Sequence, residues 1–487
     1  MTTTVNLRKL LHRKAWEFGT PAPSNTGNGS WIDGDKSDLL PGHDCVYFVN
    51  SANGIYNYNS DQDAWLQLPN SGIAGALNSG SCGEFLPIGM LGGSPTTTAT
   101  AGTTTTLTTS RLLVRSLAGH AVRVLSGTGV GYEGTVSSNT LGTNSVITVT
   151  PANGVAFDAT TVFEVYSGSL WFFNAGTTAV GFSVYDRATN AWTAKSVTGL
   201  PTAWGTCGQL IGTPAFAGQF VSGTASAGAA STLSTTKTLL LNQYANFQVR
   251  ITAGTGKGQV RKIASHTAGA NAVLTTSVAW TVVPDATSTF VIEGDTDALY
   301  LLGNNAVTLY KYSINANTWA TLAPGTARTA GLGAGGTADW IDQVPSWSEA
   351  TNGVLQYQGT NVYQQNGRYI YSFRGAGSSV LEVYDIALNS WTASLAYGNQ
   401  TETFSTGSCS VDVDGAILIQ KEGTGRLFRF DVAKHVIEPY ATNVYPQSTT
   451  CEGDKMFVQT YKDGGTKVRF VYTQMHNRNE LVRMLDI

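Results

Sequence analysis

The 487-residue chain has a formal charge of −3, and only 13% of its residues are charged. That balance excludes general nucleic-acid binding, which needs a basic surface to displace counterions, and no apolar run approaches the ~20 residues that cross a bilayer. The 55 glycines among many Thr, Ser, Ala and Asn residues suit an all-β chain with little helix.

At the amino end, Met1 to Gly19 is basic but lacks the apolar core of a signal peptide, so synthesis in a cytoplasm is expected. Leu7 to Phe18 reads as a basic amphipathic helix, followed by the Pro21-Ala22-Pro23 linker. Residues 1–23 are therefore a candidate docking arm. Arg8, Lys9, Arg13 and Lys14 would face an acidic partner, and Leu10, Leu11 and Trp16 would be buried; packing on the protein's own rim is the alternative.

Next comes a phrase that recurs, an aromatic followed seven residues later by Trp: Tyr58 to Trp65, Tyr185 to Trp192, Tyr312 to Trp319 and Tyr384 to Trp391. A degraded fifth copy runs from Phe430 to Ile437, and a sixth is placed at Tyr472, where the partner Trp is missing. Each copy has an apolar strand (Val46 to Val49, Leu170 to Phe173, Leu299 to Leu302, Tyr369 to Phe373, Ile417 to Ile419), a polar turn and a second strand carrying the aromatic. Asp, Asn and Ser then turn the chain into the Trp strand. Small-residue stretches between copies (Asn78 to Phe85, Trp204 to Leu210, Gly331 to Ala338, Ser405 to Val413, Gln447 to Lys455) supply a fourth, crowded inner strand. Four strands per repeat around a channel is propeller architecture.

These copies resemble the kelch-type β-propellers, which implies a six-bladed disc. The double glycine usual after the second kelch strand is replaced by Asn50-Ser51, Asn174-Ala175 and Gly303-Asn304. The resemblance concerns fold, because propellers carry enzymes, adhesins and scaffolds alike.

A longer period is superposed on the first: Trp65, Trp192 and Trp319 stand 127 positions apart. At that offset Val122-Arg123 matches Val249-Arg250, Gly127-Thr128-Gly129 matches Gly254-Thr255-Gly256, Asp158-Ala159-Thr160 matches Asp285-Ala286-Thr287, and Phe163 matches Phe290. Residues 93–168 and 216–295 are thus two copies of one inserted small β-barrel or sandwich domain, interrupting a propeller built from 24–92, 169–215 and 296–487. Thr96 to Thr109 and Gly223 to Ser231 read as flexible exit linkers by composition. Both insertions leave after an inner strand and should project from one face of the disc.

The phrase Gly254-Thr255-Gly256-Lys257-Gly258-Gln259-Val260-Arg261-Lys262-Ile263, with Trp280 to Asp285 downstream, resembles small β modules of tailed-bacteriophage virion proteins. In the first copy Tyr132, Glu133 and Gly134 replace its Gln-Val-Arg part. The resemblance implies a structural virion component of the tail, collar or head-tail region, present in multiple copies and assembled with other virion proteins after synthesis in the host cytoplasm.

Chemical constellations are weak. Cys82, Cys207, Cys409 and Cys451 share inner-strand positions, where small buried thiols are expected rather than a metal ring or disulfides. Gly127 to Gly131 and Gly254 to Gly258 precede strands, not helices, so they read as hairpin turns rather than phosphate loops. The six histidines lack zinc spacing. Asp412 and Asp414 read as a solvated loop end. The expectation is no catalytic residue, no cofactor and no metal, with a host-glycan adhesin as the alternative and a kelch-type enzyme as the third reading. Between the third and fourth copies, Ala338 to Gly353 adds Trp340 and Trp347, which either stack on a sugar or grip a neighbouring subunit, or fold back over their own blade.

Overall fold

The computed structural model describes residues 16–18, 20–21, 31–34, 46–49, 54–59, 63–73, 80–87, 96–110, 113, 117–141, 144–166, 168–175, 179–186, 190–205, 208–213, 219–239, 241–242, 244–245, 247–293, 298–303, 306–314, 316–341, 354–357, 360–363, 367–386, 388–392, 395–396, 402–406, 408–413, 415–421, 426–441, 456–463, 466–474 and 481–486. Every regular element among them is a β-strand.

Antiparallel sheets follow one another along the chain, each four-stranded except the fourth, where Leu395–Ala396 also pairs with Val380–Asp385. The first comprises Trp31–Gly34, Val46–Val49, Ile55–Asn59 and Ala64–Leu68; the second Cys82–Pro87, Gly168–Asn174, Gly181–Asp186 and Ala191–Ala194. The third is built from Gly208–Thr213, Ala298–Gly303, Leu309–Ser313 and Thr318–Thr321, and the fourth from Thr337–Trp340, Tyr369–Phe373, Val380–Asp385 and Ser390–Trp391. Cys409–Val413, Ala416–Gln420, Leu427–Asp431 and Val436–Ala441 make the fifth. The sixth joins Phe457–Asp463, Thr466–Gln474 and Leu481–Asp486 to Trp16–Phe18 from the other end of the chain. First strands of successive sheets lie side by side, and that of the sixth sheet returns to that of the first, a propeller-like arrangement.

Burial explains which sequence goes where. Inner strands are covered on both faces, so Ala298–Gly303 and Ala416–Gln420 are buried throughout and read as continuous apolar runs. Outer strands such as Ala64–Leu68 and Thr318–Thr321 are largely exposed. Crowding near the middle demands small residues: a Cβ on Gly83 would lie 2.3 Å from the Trp31 ring. The buried cysteines Cys82 and Cys409 begin two of these inner strands, as expected, whereas Cys207, Cys451 and Asp414 lie outside the described residues.

Each recurring aromatic stands directly opposite its Trp across the last two strands of a sheet, in the pairs Tyr58 and Trp65, Tyr185 and Trp192, Tyr312 and Trp319, and Tyr384 and Trp391. Ring centroids are 4.9–5.3 Å apart. Between them Asp63, Asn190, Asn317 and Asn389 adopt positive φ of 49–52°, and each accepts a hydrogen bond from the Tyr hydroxyl. Asp and Asn tolerate that backbone better than other L-residues. The fifth copy keeps the turn with Phe430 opposite Ile437 and His435 at φ 55°.

The sixth copy corrects two expectations. Trp16–Phe18 is a strand, not the end of a helix, and Trp16 stands opposite Met484. The missing Trp strand of the last sheet is therefore supplied by the amino end, and Tyr472 belongs one strand further in, opposite Arg483. A sheet of three strands would leave a row of unpaired backbone groups, and the alternating Trp-Glu-Phe segment satisfies them. The chain then continues into the first sheet's turn, where Thr20 donates to Asp63 (2.9 Å) and accepts from Trp65 Nε1 (2.8 Å). Trp192 Nε1 donates in the same way to Pro69 O, after the preceding sheet's outer strand.

The two excursions form closed six-stranded barrels with the same strand order. The first contains Thr96–Gly102, Thr106–Thr109, Ala121–Ser126, Glu133–Asn139, Ser145–Thr150 and Val162–Tyr166; the second contains Gln219–Ala229, Thr232–Thr235, Gln248–Ala253, Val260–His266, Val273–Thr276 and Thr289–Glu293. The segments read as flexible linkers are thus barrel strands. Period-2 burial of Leu107 and Thr109 in the first barrel, and of Val221 and Ala225 in the second, outweighs their Thr/Ala/Gly/Ser composition.

Candidate interaction surface

In an antiparallel sheet the first-to-second and third-to-fourth connections lie at the same edge. The first barrel leaves and returns at the cross-strand pair Pro87 and Gly168, and the second at Thr213 and Ala298. Entry and exit are adjacent, so a module can be inserted without disturbing the pairing around it; closing the long excursion costs only ~0.6 kcal/mol per doubling of length. In the fourth sheet the same connection carries a hairpin, Val354–Tyr357 with Thr360–Tyr363. Three successive sheets therefore bear additions at one edge.

The Gln and Arg of the virion-like phrase have a definite task. Gln259 Oε1 accepts from the backbone N–H groups of Thr281 (2.8 Å) and Val282 (3.0 Å), while its Nε2 donates to Val282 O (2.7 Å). Arg261 lies over the Trp280 ring and donates to Ala279 O (2.9 Å) and Thr281 Oγ1 (3.0 Å). Together they fix the loop that exposes Val278, Val282 and Val283. In the first barrel the Tyr132 hydroxyl donates to Pro151 O (2.6 Å) and its ring packs edge-on against Phe157, beside exposed Val130 and Val155. Val155 and Val282 are equivalent at the 127-residue offset.

The glycine turns are hairpins, as expected. Gly127, Gly129 and Gly131, like Gly254, Gly256 and Gly258, have φ between 74° and 87°. A Cβ on Gly127 would meet Thr160 O at 1.9 Å, and one on Gly254 would meet Thr287 O at 2.1 Å. Next to each turn an exposed carboxylate is held below its ordinary range: Asp158 chiefly by the Thr160 hydroxyl and then Thr128, Asp285 by the side chain and amide of Thr287.

At the start of the fourth sheet's second strand, polar groups are deeply buried. Arg368, just before the strand Tyr369–Phe373, is 4% exposed and grips Asp385 through Nε (3.0 Å) and Nη2 (2.8 Å). Its charge reaches His266 and Tyr244 of the second barrel. Burial, with that guanidinium nearby, lowers the affinity of His266 for a proton. No signal in the sequence marks His266, since the histidines lack zinc spacing, and its counterpart at the 127-residue offset is Asn139.

Of the sequence-predicted contact residues, the described structure includes Trp16 and Trp340. Trp16 is on the closing strand. Trp340 is half-buried on Thr337–Trp340 and donates to Gly367 O (2.9 Å), folded back on its own sheet. Arg8, Lys9, Leu10, Leu11, Arg13, Lys14 and Trp347 lie outside the described residues. No group of His, Cys, Asp and Glu that could hold a metal ion occurs among the described residues.

No family model matches the chain, and none of the curated proteins does. Among solved structures it is similar to U3-55K (8% identity, TM-score 0.34, covering 97% of this chain and 98% of that one). It is also similar to the endosialidase of phage phi92 (9% identity, TM-score 0.29, 97% and 69% coverage) and to a NanB sialidase variant from Streptococcus pneumoniae (8% identity, TM-score 0.23, 95% and 87% coverage). Overlap this shallow carries no argument about what the chain does.

Proposed function

We propose that the chain is a non-enzymatic structural component of a tailed-bacteriophage virion: a six-bladed kelch-like propeller (24–92, 169–215 and 296–487) that holds other virion proteins through two homologous domains, 93–168 and 216–295. The observation that supports this reading is the Gln259 and Arg261 clamp, in which the residues of the virion-like phrase stiffen an exposed apolar loop. Preorganised apolar loops lose little entropy on docking and suit assembly contacts. Within the amino-terminal arm, residues before Trp16 carry the basic docking contribution, and Trp16–Phe18 closes the disc.

The test is incorporation. Full-length chain and a Gln259→Ala/Arg261→Ala double variant are supplied during particle assembly, and the purified particles are quantified by mass spectrometry and imaged by reconstruction. Stoichiometric incorporation of the full-length chain and its loss in the double variant are expected. Absence of the full-length chain from particles, with glycan binding or glycan hydrolysis by the isolated protein, would overturn the proposal in favour of an adhesin or an enzyme.

A further inference from the structure

His266 sits at the end of Val260–His266 and is 3% exposed. Both ring nitrogens are committed: Nε2 accepts the backbone N–H of Tyr244 (2.8 Å), and Nδ1 lies 3.0 Å from Thr267 O, to which it donates in the neutral tautomer that this pairing requires. Its backbone N–H is held by Asn242 Oδ1 (2.8 Å). The loop so fixed, around Tyr244, is 1% exposed at that residue and lies within reach of the Arg368 charge.

We propose that His266 is a proton-operated latch on the Tyr244 loop of the second barrel, closed when the ring is neutral and released when it is charged. A second proton on Nε2 would set donor against donor at the Tyr244 N–H and place a cation opposite Arg368. From the fourth sheet, the charged groups are Arg368 and its partner Asp385, whose carboxylate is already engaged by the guanidinium; the neighbouring Tyr369 and Tyr371 are buried phenols. On the barrel side the facing titratable group is Tyr244.

The first barrel supplies an internal control. Asn139 occupies the equivalent position, and its Oδ1 accepts from the N–H of Leu117 (2.6 Å) while its Nδ2 donates to Thr140 O (3.1 Å). Leu117 and Thr140 are the counterparts of Tyr244 and Thr267. The same two hydrogen bonds are made by a side chain that does not titrate in this range, so acid should loosen this loop in the second barrel and leave its counterpart in the first unchanged.

Hydrogen exchange of the full chain, resolved by peptide and compared with His266→Asn at each pH, tests this. Below the ordinary histidine value of about 6.5, protection of 239–250 should fall by up to about tenfold per pH unit, while 113–124 stays unchanged. His266→Asn should fold at neutral pH and lose that acid response, and Asn139→His should import one into the first barrel. Equal acid responses in wild type and His266→Asn overturn the latch. If His266→Asn proves unstable, the Asn139→His chain decides: no new acid response in the first barrel also overturns it.

Discussion

The two barrels are one design folded twice, and what differs between them separates scaffold from contact. Their cores match almost atom for atom in kind: Val122 and Val249, Val124 and Ile251, Val136 and Ile263, Ile147 and Leu274, Phe163 and Phe290, and Val165 and Ile292 occupy equivalent buried places. The three positive-φ glycines of the turn, Gly127, Gly129 and Gly131, match Gly254, Gly256 and Gly258 as well. Two differences alter how loops are fixed: Tyr132 against Gln259 at the tip, and Asn139 against His266 at the equivalent loop hydrogen bond. A barrel interior constrains volume and polarity closely, whereas a loop can be fixed by any group offering the right donors and acceptors.

The largest expected effect probes the ion pairs that cross each barrel's wall. Arg250 reaches Glu293, whose side chain is fully buried, through Nη2 (2.5 Å) and Nε (3.1 Å). Arg123 pairs with Glu164, which is not at the equivalent position and keeps 7% exposure. Removing one partner of a buried pair costs roughly 3–5 kcal/mol, so Arg250→Ala should destabilise the second barrel by about that much, and Arg123→Ala should cost its barrel less. Barrel-resolved hydrogen exchange on the intact chain measures both; equal losses would mean that the displaced glutamates are equally desolvated.

A smaller contrast concerns the tips. Gln259→Ala removes three hydrogen bonds to the Trp280 loop, a loss of roughly 1–3 kcal/mol, whereas Tyr132→Phe removes one, worth about 1 kcal/mol. Protection at 278–284 should therefore fall more than at 151–157. The reverse order would show that ring packing against Phe157, and not hydrogen bonding, sets the stiffness of a tip.

Much of this was legible in the sequence because it is local. A Tyr and a Trp seven residues apart pair directly across one turn, and the Asn between them is the residue that such a backbone selects. Duplication was legible through the fixed offset of 127 positions. What the linear text concealed is long-range. Nothing near Tyr472 says that its sheet is completed by Trp16, and a short basic stretch with apolar residues satisfies a helical pattern until strand closure overrides it. Composition misled in the Thr96 to Thr109 region, where small residues serve an inward-facing period of two. The candidate surface was half legible: the Gln259 and Arg261 phrase stood out, but its target, the backbone of 279–282, is a contact that only folding creates.

The smallest expected effect asks whether the exposed turns are as alike as their geometry. The carboxylates of Asp158 and Asp285 each accept from the hydroxyl and amide of the Thr two residues on (2.6 and 2.8 Å in both barrels). Both should titrate below the ordinary aspartate value of 3.8. A carboxylate depressed in the folded state contributes stability that is complete above its unfolded value and is lost as pH falls through the folded one, so each turn weakens only in strong acid. Thr160→Val and Thr287→Val remove the hydroxyl while keeping the side chain's shape, and should raise the two titration midpoints toward the ordinary value. Because Thr128 bonds Asp158 at 2.7 Å while its counterpart Thr255 is a lesser contributor at Asp285, the Asp158 midpoint should recover less than that of Asp285. Carboxyl-carbon NMR titration of the intact chain reads this difference directly. If Asp158 recovers as far as Asp285, the Thr128 bond is not maintained in solution, and the turns are alike in the stronger sense that one threonine governs each.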